Sequence, residues 1–90
     1  MSKLSKEKRE RIMSNILSLL YNIFPQSLFT AKISEEEARD EEFTKGLLIE
    51  LEKRGLVKAI RKNPHGSPYS RRIRWTLSPR VYKIYKDKFT

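Results

Sequence analysis

Leu48-Ile49-Glu50-Leu51-Glu52-Lys53-Arg54-Gly55-Leu56-Val57 is the stretch on which the fold turns. Leu48 and Leu51 stand about one helical turn apart, which seats a helix on a core, and Lys53 and Arg54 suit the negative end of that helix. Gly55 tolerates a left-handed backbone, so it stops the helix and turns the chain sharply. Leu56 anchors the turn and Val57 opens an extended run.

Upstream, Phe43, Leu47, Leu48 and Leu51 draw one apolar stripe, so the helix reaches back to at least Phe43. Ser34 followed by Glu37 reads as a capping box, with Glu35, Glu36 and Glu37 near the positive helix end, and it predicts a helix start at Ser34. No Gly, Pro or Asn lies between Asp40 and Glu42. Two helices and one continuous helix from Ser34 to Arg54 are therefore both open, the latter with its predecessor drawn from Gln26 to Lys32. Residues 26–33 alternate Leu28, Thr30 and Lys32 with Phe29, Ala31 and Ile33, a mildly extended pattern. Before them, Ile12, Ile16, Leu19, Leu20 and Ile23 recur at helical spacing, widened by Met13, Leu17 and Phe24. That first helix is expected to begin at the N-cap Ser5 and to end by Phe24, because Pro25 disfavours helical geometry in the residue before it.

Downstream the period changes. Leu56 to Lys62 is compatible with a strand, and Ser70 to Leu77 alternates, placing Ile73, Trp75 and Leu77 on one face and Arg72, Arg74 and Thr76 on the other. Between them Asn63-Pro64-His65-Gly66-Ser67-Pro68-Tyr69-Ser70 is built of turn formers, so the two runs predict a hairpin with a long tip. Ser78 and Pro79 suit the N-cap and first position of a last helix, with Val81, Ile84 and Tyr85 as an apolar stripe continuing to Phe89.

The 90 residues suffice for a single core, and 38% hydrophobic content with nine aromatic side chains supports a folded chain. The absence of cysteine excludes disulfides, thiolate metal sites and cysteine nucleophiles. The Ile16 to Phe24 run is too short to span a bilayer, so neither a signal peptide nor a membrane span is expected, and a cytoplasmic location is. The net charge of +9 is unevenly spread. Residues 34–52 carry eight carboxylates against Arg39 and Lys45, a net of −6, whereas residues 53–90 carry twelve Lys or Arg against Asp87, a net of +11. Such a field attracts a polyanion. Abundant Lys, Glu and Ile with little Gln also fits a small archaeal or viral protein.

The run Leu48 to Val57, the return strand Arg72-Ile73-Arg74-Trp75-Thr76-Leu77-Ser78 and the final short helix together resemble winged helix-turn-helix transcription regulators of the MarR-like and ArsR-like kinds. The resemblance implies an α+β, mostly helical fold. It comprises a three-helix core, a β-hairpin wing over about 56–77 and a C-terminal helix over 79–89, all within one domain over 1–90. It further implies that the third helix enters the major groove of double-stranded DNA with Phe43, Thr44, Lys45 and Ile49 directed outward. It also implies a homodimer through the first and last helices, which places two such helices about one DNA turn apart.

One departure stands out, since Glu50 and Glu52 lie on that same helix behind an acidic run and repel phosphate unless they point away. Either they face away from the groove, or the wing binds and the third helix serves a protein partner. The wing is accordingly the stronger candidate surface: Arg61, Lys62, Arg71, Arg72 and Arg74 flank a tip bearing His65, Ser67 and Tyr69. Trp75, sharing a face with Ile73 and Leu77, is expected in the core.

With one histidine and no phosphate-binding glycine loop, the chain lacks the parts for a nucleophile-base pair or a metal centre, so neither catalysis nor a cofactor is expected. The reading that follows is a sequence-specific DNA-binding transcription regulator. A second is a protein-interaction winged helix that acts as adaptor or inhibitor of a nucleic-acid enzyme. A third, adhesion of the basic C-terminal helix to anionic lipid, conflicts with the need of its apolar face for packing, so no membrane partner is expected.

Overall fold

The computed structural model describes residues 5–61 and 73–89. The chain runs α1 (Lys6–Ile23), β1 (Leu28–Phe29), α2 (Thr30–Glu37), α3 (Glu41–Lys53), β2 (Val57–Ile60), β3 (Arg74–Leu77) and α4 (Pro79–Phe89). Ser5 caps α1 as its residue type suggests, its side chain accepting a hydrogen bond from the Lys8 amide at 3.2 Å. At the other end Phe24 leaves the helix with ψ 136, as a residue before proline should.

The second helix departs from the capping-box expectation. Ser34 lies inside α2, buried, with its hydroxyl donating to the Ala31 carbonyl at 2.8 Å, and so caps nothing. Mid-helix serine often bonds back to the preceding turn in this way. Helix α2 instead starts at Thr30, directly after a two-residue strand. It stops at Ala38, which adopts the left-handed conformation at φ 54 without being glycine. The Ala38 and Arg39 amides close the end of the helix on the Glu35 and Ser34 carbonyls, at 3.1 and 2.9 Å. Asp40 then caps α3 by accepting from the Phe43 amide at 3.1 Å, with Glu41 and Glu42 in the first turn. The continuous helix from Ser34 to Arg54 does not form, and neither does a predecessor from Gln26 to Lys32. The turn between α2 and α3 is the break left open by the sequence.

Gly55 meets its assignment, ending α3 at φ 78. The chain then enters a three-stranded antiparallel sheet of order β1-β3-β2, with Leu28 opposite Trp75 and Val57 opposite Leu77. Because side chains alternate along a strand, Ile73, Trp75 and Leu77 all turn inward and are 5%, 0% and 0% exposed. They meet Ile12, Met13, Ile16, Leu17 and Leu20 of α1, Ile33 of α2, and Leu47, Leu48 and Leu51 of α3 in one core.

Trp75 is the largest member of that core, and its indole N–H donates to the buried Thr30 hydroxyl at 2.7 Å. Thr30 in turn approaches the Ile73 carbonyl at 3.5 Å. An indole N–H buried without an acceptor costs about 1–3 kcal/mol, so Thr30 secures the start of α2 to the sheet. Val81 of α4 joins the core, and Tyr82 stacks on Phe24 at a centroid distance of 4.2 Å. Ile84, counted in the same stripe from the sequence, is instead 54% exposed. Among the described residues no helix is long and apolar enough to cross a membrane.

Candidate nucleic-acid interface

With 3.6 residues per turn, burial of Thr44, Leu47, Leu48 and Leu51 puts Glu42, Gly46, Ile49 and Lys53 along the opposite side of α3. Glu42, Gly46 and Lys53 are exposed there, while Ile49 is half-buried. Lys45 and Glu52 occupy one flank of this side, Phe43 and Glu50 the other. Thr44 corrects the outward assignment. It is 1% exposed, and its hydroxyl has no hydrogen-bond partner among the described residues. It follows Phe43 by one residue, which is about 100° around the helix and turns it into the core. Phe43 itself is half-buried against the core, as is Ile49, and Lys45 is half-buried.

The acids that made α3 an awkward partner for phosphate are drawn sideways. Glu50 accepts from the Arg9 guanidinium of α1 at 2.8 Å and from Arg54 at 2.6 Å. Arg54 also binds Glu10 of α1 at 2.9 Å, so four charges bridge the two helices. Hydrogen bonds from Arg54 hold both Glu10 and Glu50 below the usual carboxylate range, and Arg9 adds to the effect on Glu50. Those two bonds hold the Arg54 guanidinium proton more tightly than usual.

On the other flank Glu52 receives two hydrogen bonds from Arg61, at 2.9 and 3.0 Å, and these lower its pKa and raise that of Arg61. On α2, Lys32 pairs with Glu35 at 3.3 Å and Glu36 at 3.5 Å, and its pKa is raised by the bond to Glu35.

Of the wing candidates, Arg61 and Arg74 lie within the described residues. Arg61 is committed to Glu52 and rests 5.9 Å from the Trp75 ring centroid. Arg74 is exposed, its guanidinium 5.8 Å from the centroid of the exposed Phe29 ring. Lys62, His65, Ser67, Tyr69, Arg71 and Arg72 lie outside the described residues. The structure thus does not bring the two together: Ile60 is the residue opposite Arg74 in register, and Arg61 turns to the Trp75 and Glu52 side while Arg74 turns to Phe29. Sequence reasoning missed Lys53 and Gly46 on the outward side of α3, although the Leu47, Leu48 and Leu51 spacing already assigned the opposite side to them.

Three α-helices, a two-stranded hairpin base joined by a short third strand, and a final helix define a winged helix-turn-helix domain. Solved structures of similar fold agree. The MepR–DNA complex of S. aureus superposes with a TM-score of 0.71 at 19% identity over 91% of this chain and 64% of that one. MepR, a transcription regulator of the Staphylococcus aureus multidrug efflux pump MepA, gives 0.65 at 20% identity, covering 90% of this chain and 59% of that one. ZitR of Lactococcus lactis, a zinc-responsive MarR family member, gives 0.63 at 20% identity, covering 97% and 52%. The chain therefore spans between about half and two thirds of the length of these proteins. No protein-family model and no curated protein sequence matches the chain.

Proposed function

We propose that this chain is a non-enzymatic, double-stranded DNA-binding domain of a transcription regulator, selective for sequence, that works as a homodimer. The observation that carries the reading is the sideways pairing of Glu50 and Glu52. Beyond the first turn of α3 it leaves Lys53 on the outward side and Lys45 on its flank as the ionic groups, in the element that meets DNA in folds of this kind. The MarR-like neighbours, one of them solved on DNA, support the same reading. The +11 charge of residues 53–90 adds attraction that does not depend on sequence. Arg74, with Lys62, Arg71 and Arg72, is the proposed phosphate and minor-groove contact of the wing, and His65, Ser67 and Tyr69 supply donors at its tip.

A titration of random and genomic duplex DNA at two salt concentrations tests this. The expected result is a log-log salt slope of about −0.9 per phosphate contacted, and a preferred duplex bound roughly a thousandfold more tightly than random sequence. Broad weakening is expected when Arg71, Arg72 and Arg74 are all replaced by Ala; unchanged binding overturns the wing assignment.

The exposed Glu41 and Glu42 at the start of α3, with the exposed Glu35 and Glu36 of α2, favour one other reading, an adaptor docking a basic protein. That reading expects weak DNA binding with a shallow salt slope.

A further inference from the structure

Gly46 sits in the middle of α3, exposed, and apart from its chain neighbours and the backbone of its own helix no heavy atom of the described residues lies within 4 Å of the place a Cβ would occupy. Nothing among the described residues needs a glycine there. The helix interior disfavours it, because glycine loses more backbone freedom than alanine on folding and covers its own peptide group less well. Its φ is not in the left-handed region, in contrast to Gly55. A residue that weakens its own helix and fills no internal gap leaves the outer surface of that helix as the place where its small size has an effect.

We infer that Gly46 is the point at which α3 comes closest to the floor of the DNA major groove, and that the missing side chain sets how deep the helix seats. The inference rests on the DNA-binding reading above and adds a residue that determines specificity within it. A helix with its side chains is about 10–12 Å across and the groove about 12 Å wide, so the insertion depth is limited by what projects from the leading side. Glu42, Gly46, Ile49 and Lys53 form that side. With Gly46 bare, the half-buried Ile49 one turn on is brought to base-edge depth, where an apolar side chain meets a thymine methyl. Glu42 one turn back, an acceptor only, faces the depth at which a cytosine amino group donates. Lys53 lies where the helix leaves the groove and a phosphate is within reach. The outer side of α3 thus reads by shape, one methyl contact and one carboxylate. Its acidic first turn becomes a selective feature.

The test uses the whole chain. The wild-type protein first enriches a preferred duplex from a random-sequence pool, and wild type, Gly46→Ala and Gly46→Leu are then titrated with that duplex and with random duplex of the same length at one salt concentration. Both variants are expected to fold, Gly46→Ala with its thermal midpoint raised by about 5 °C. Affinity for the enriched duplex is expected to fall by at least about tenfold in Gly46→Ala and further in Gly46→Leu, while affinity for random duplex stays within about twofold. Equal binding of the enriched duplex by wild type and Gly46→Ala overturns the inference while leaving the DNA-binding reading intact, and redirects the bare patch to a protein partner. A lowered midpoint in Gly46→Ala overturns it too, by showing that the glycine serves the fold. Failure of the wild-type protein to bind any duplex removes both.

Discussion

The guanidinium of Arg61 lies in line with the carboxylate of Glu52, making two hydrogen bonds of 2.9 and 3.0 Å between the end of the first wing strand and the last turn of α3. A paired fork of this kind holds direction as well as charge. It ties the residue after β2 to α3 and occupies the guanidinium of Arg61. Glu52→Ala releases that cation. The expected outcome is tighter binding of random duplex, with a log-log salt slope steeper by up to about 0.9, the share of one phosphate. The pair is largely exposed, so stability should change by less than about 1 kcal/mol in urea denaturation. An unchanged slope would show that Arg61 never reaches the duplex.

The bridge from α1 to α3 makes a small part of the stability depend on pH. Glu10 and Glu50 are held below the ordinary carboxylate range by Arg54, and Glu52 by Arg61, whereas in the unfolded chain they titrate near ~4.3. A carboxylate with a lowered folded pKa binds fewer protons folded than unfolded. Its contribution is therefore complete above the unfolded value and disappears as pH falls through the folded one. Thermal unfolding of wild type and Arg54→Met across pH is expected to show the variant less stable near neutrality, with the gap closing as pH drops below about 4. A gap that stays constant into acid would assign the effect of Arg54 to packing by its methylenes.

The parts of the fold legible in the sequence are those where one local rule acts alone. Ser5, Pro25, Gly55 and Pro79 each mark an element end by their backbone chemistry, and the structure places the ends there. The α2 region was misread because two rules competed. Ser34 and Glu37 match a cap by spacing, but burial of Ile33 and the bond from Trp75 to Thr30 draw the helix start back to Thr30. Its end was hidden because Ala38 takes a conformation typical of glycine, at a cost of about 1–2 kcal/mol that packing of α2 against α3 must offset. At the site, the basic cluster was visible as composition. The Glu50–Arg54 pair follows the ordinary four-residue helical spacing, but the bonds from Arg9 to Glu50 and from Arg61 to Glu52 span 41 and 9 residues of sequence, and no local pattern encodes them.

Thr44 separates a DNA contact from a core residue. Its buried hydroxyl has no partner among the described residues, so exchanging it for a methyl removes a desolvated polar group without leaving a hole. Thr44→Val is expected to stabilise the fold by about 1 kcal/mol in urea denaturation, with duplex affinity unchanged. A loss of affinity in a variant that folds as well as wild type would restore Thr44 to the interface.

The proposed homodimer has a specific exposed anchor. Helix α1 turns Arg11, Ser14, Asn15, Ser18 and Asn22 outward, a polar side, so its apolar residues are largely used within one copy. On α4, Tyr82 and Tyr85 pack on Tyr21 at 5.2 and 6.1 Å, and Ile84 of the same helix is left 54% exposed. Isolated exposed isoleucine is ordinary on a protein surface, but on the helix whose tyrosines join it to α1 it is the exposed apolar side chain that a second copy would cover. In a two-fold interface each copy presents Ile84 to the other, so a charge placed there is introduced twice and buried twice. Light scattering at micromolar concentration is expected to give twice the 10.7 kDa chain mass for wild type and the single mass for Ile84→Glu, with the same unfolding midpoint measured at high dilution. Dimer persisting in Ile84→Glu would move the interface away from α4, and a monomeric wild type would remove it.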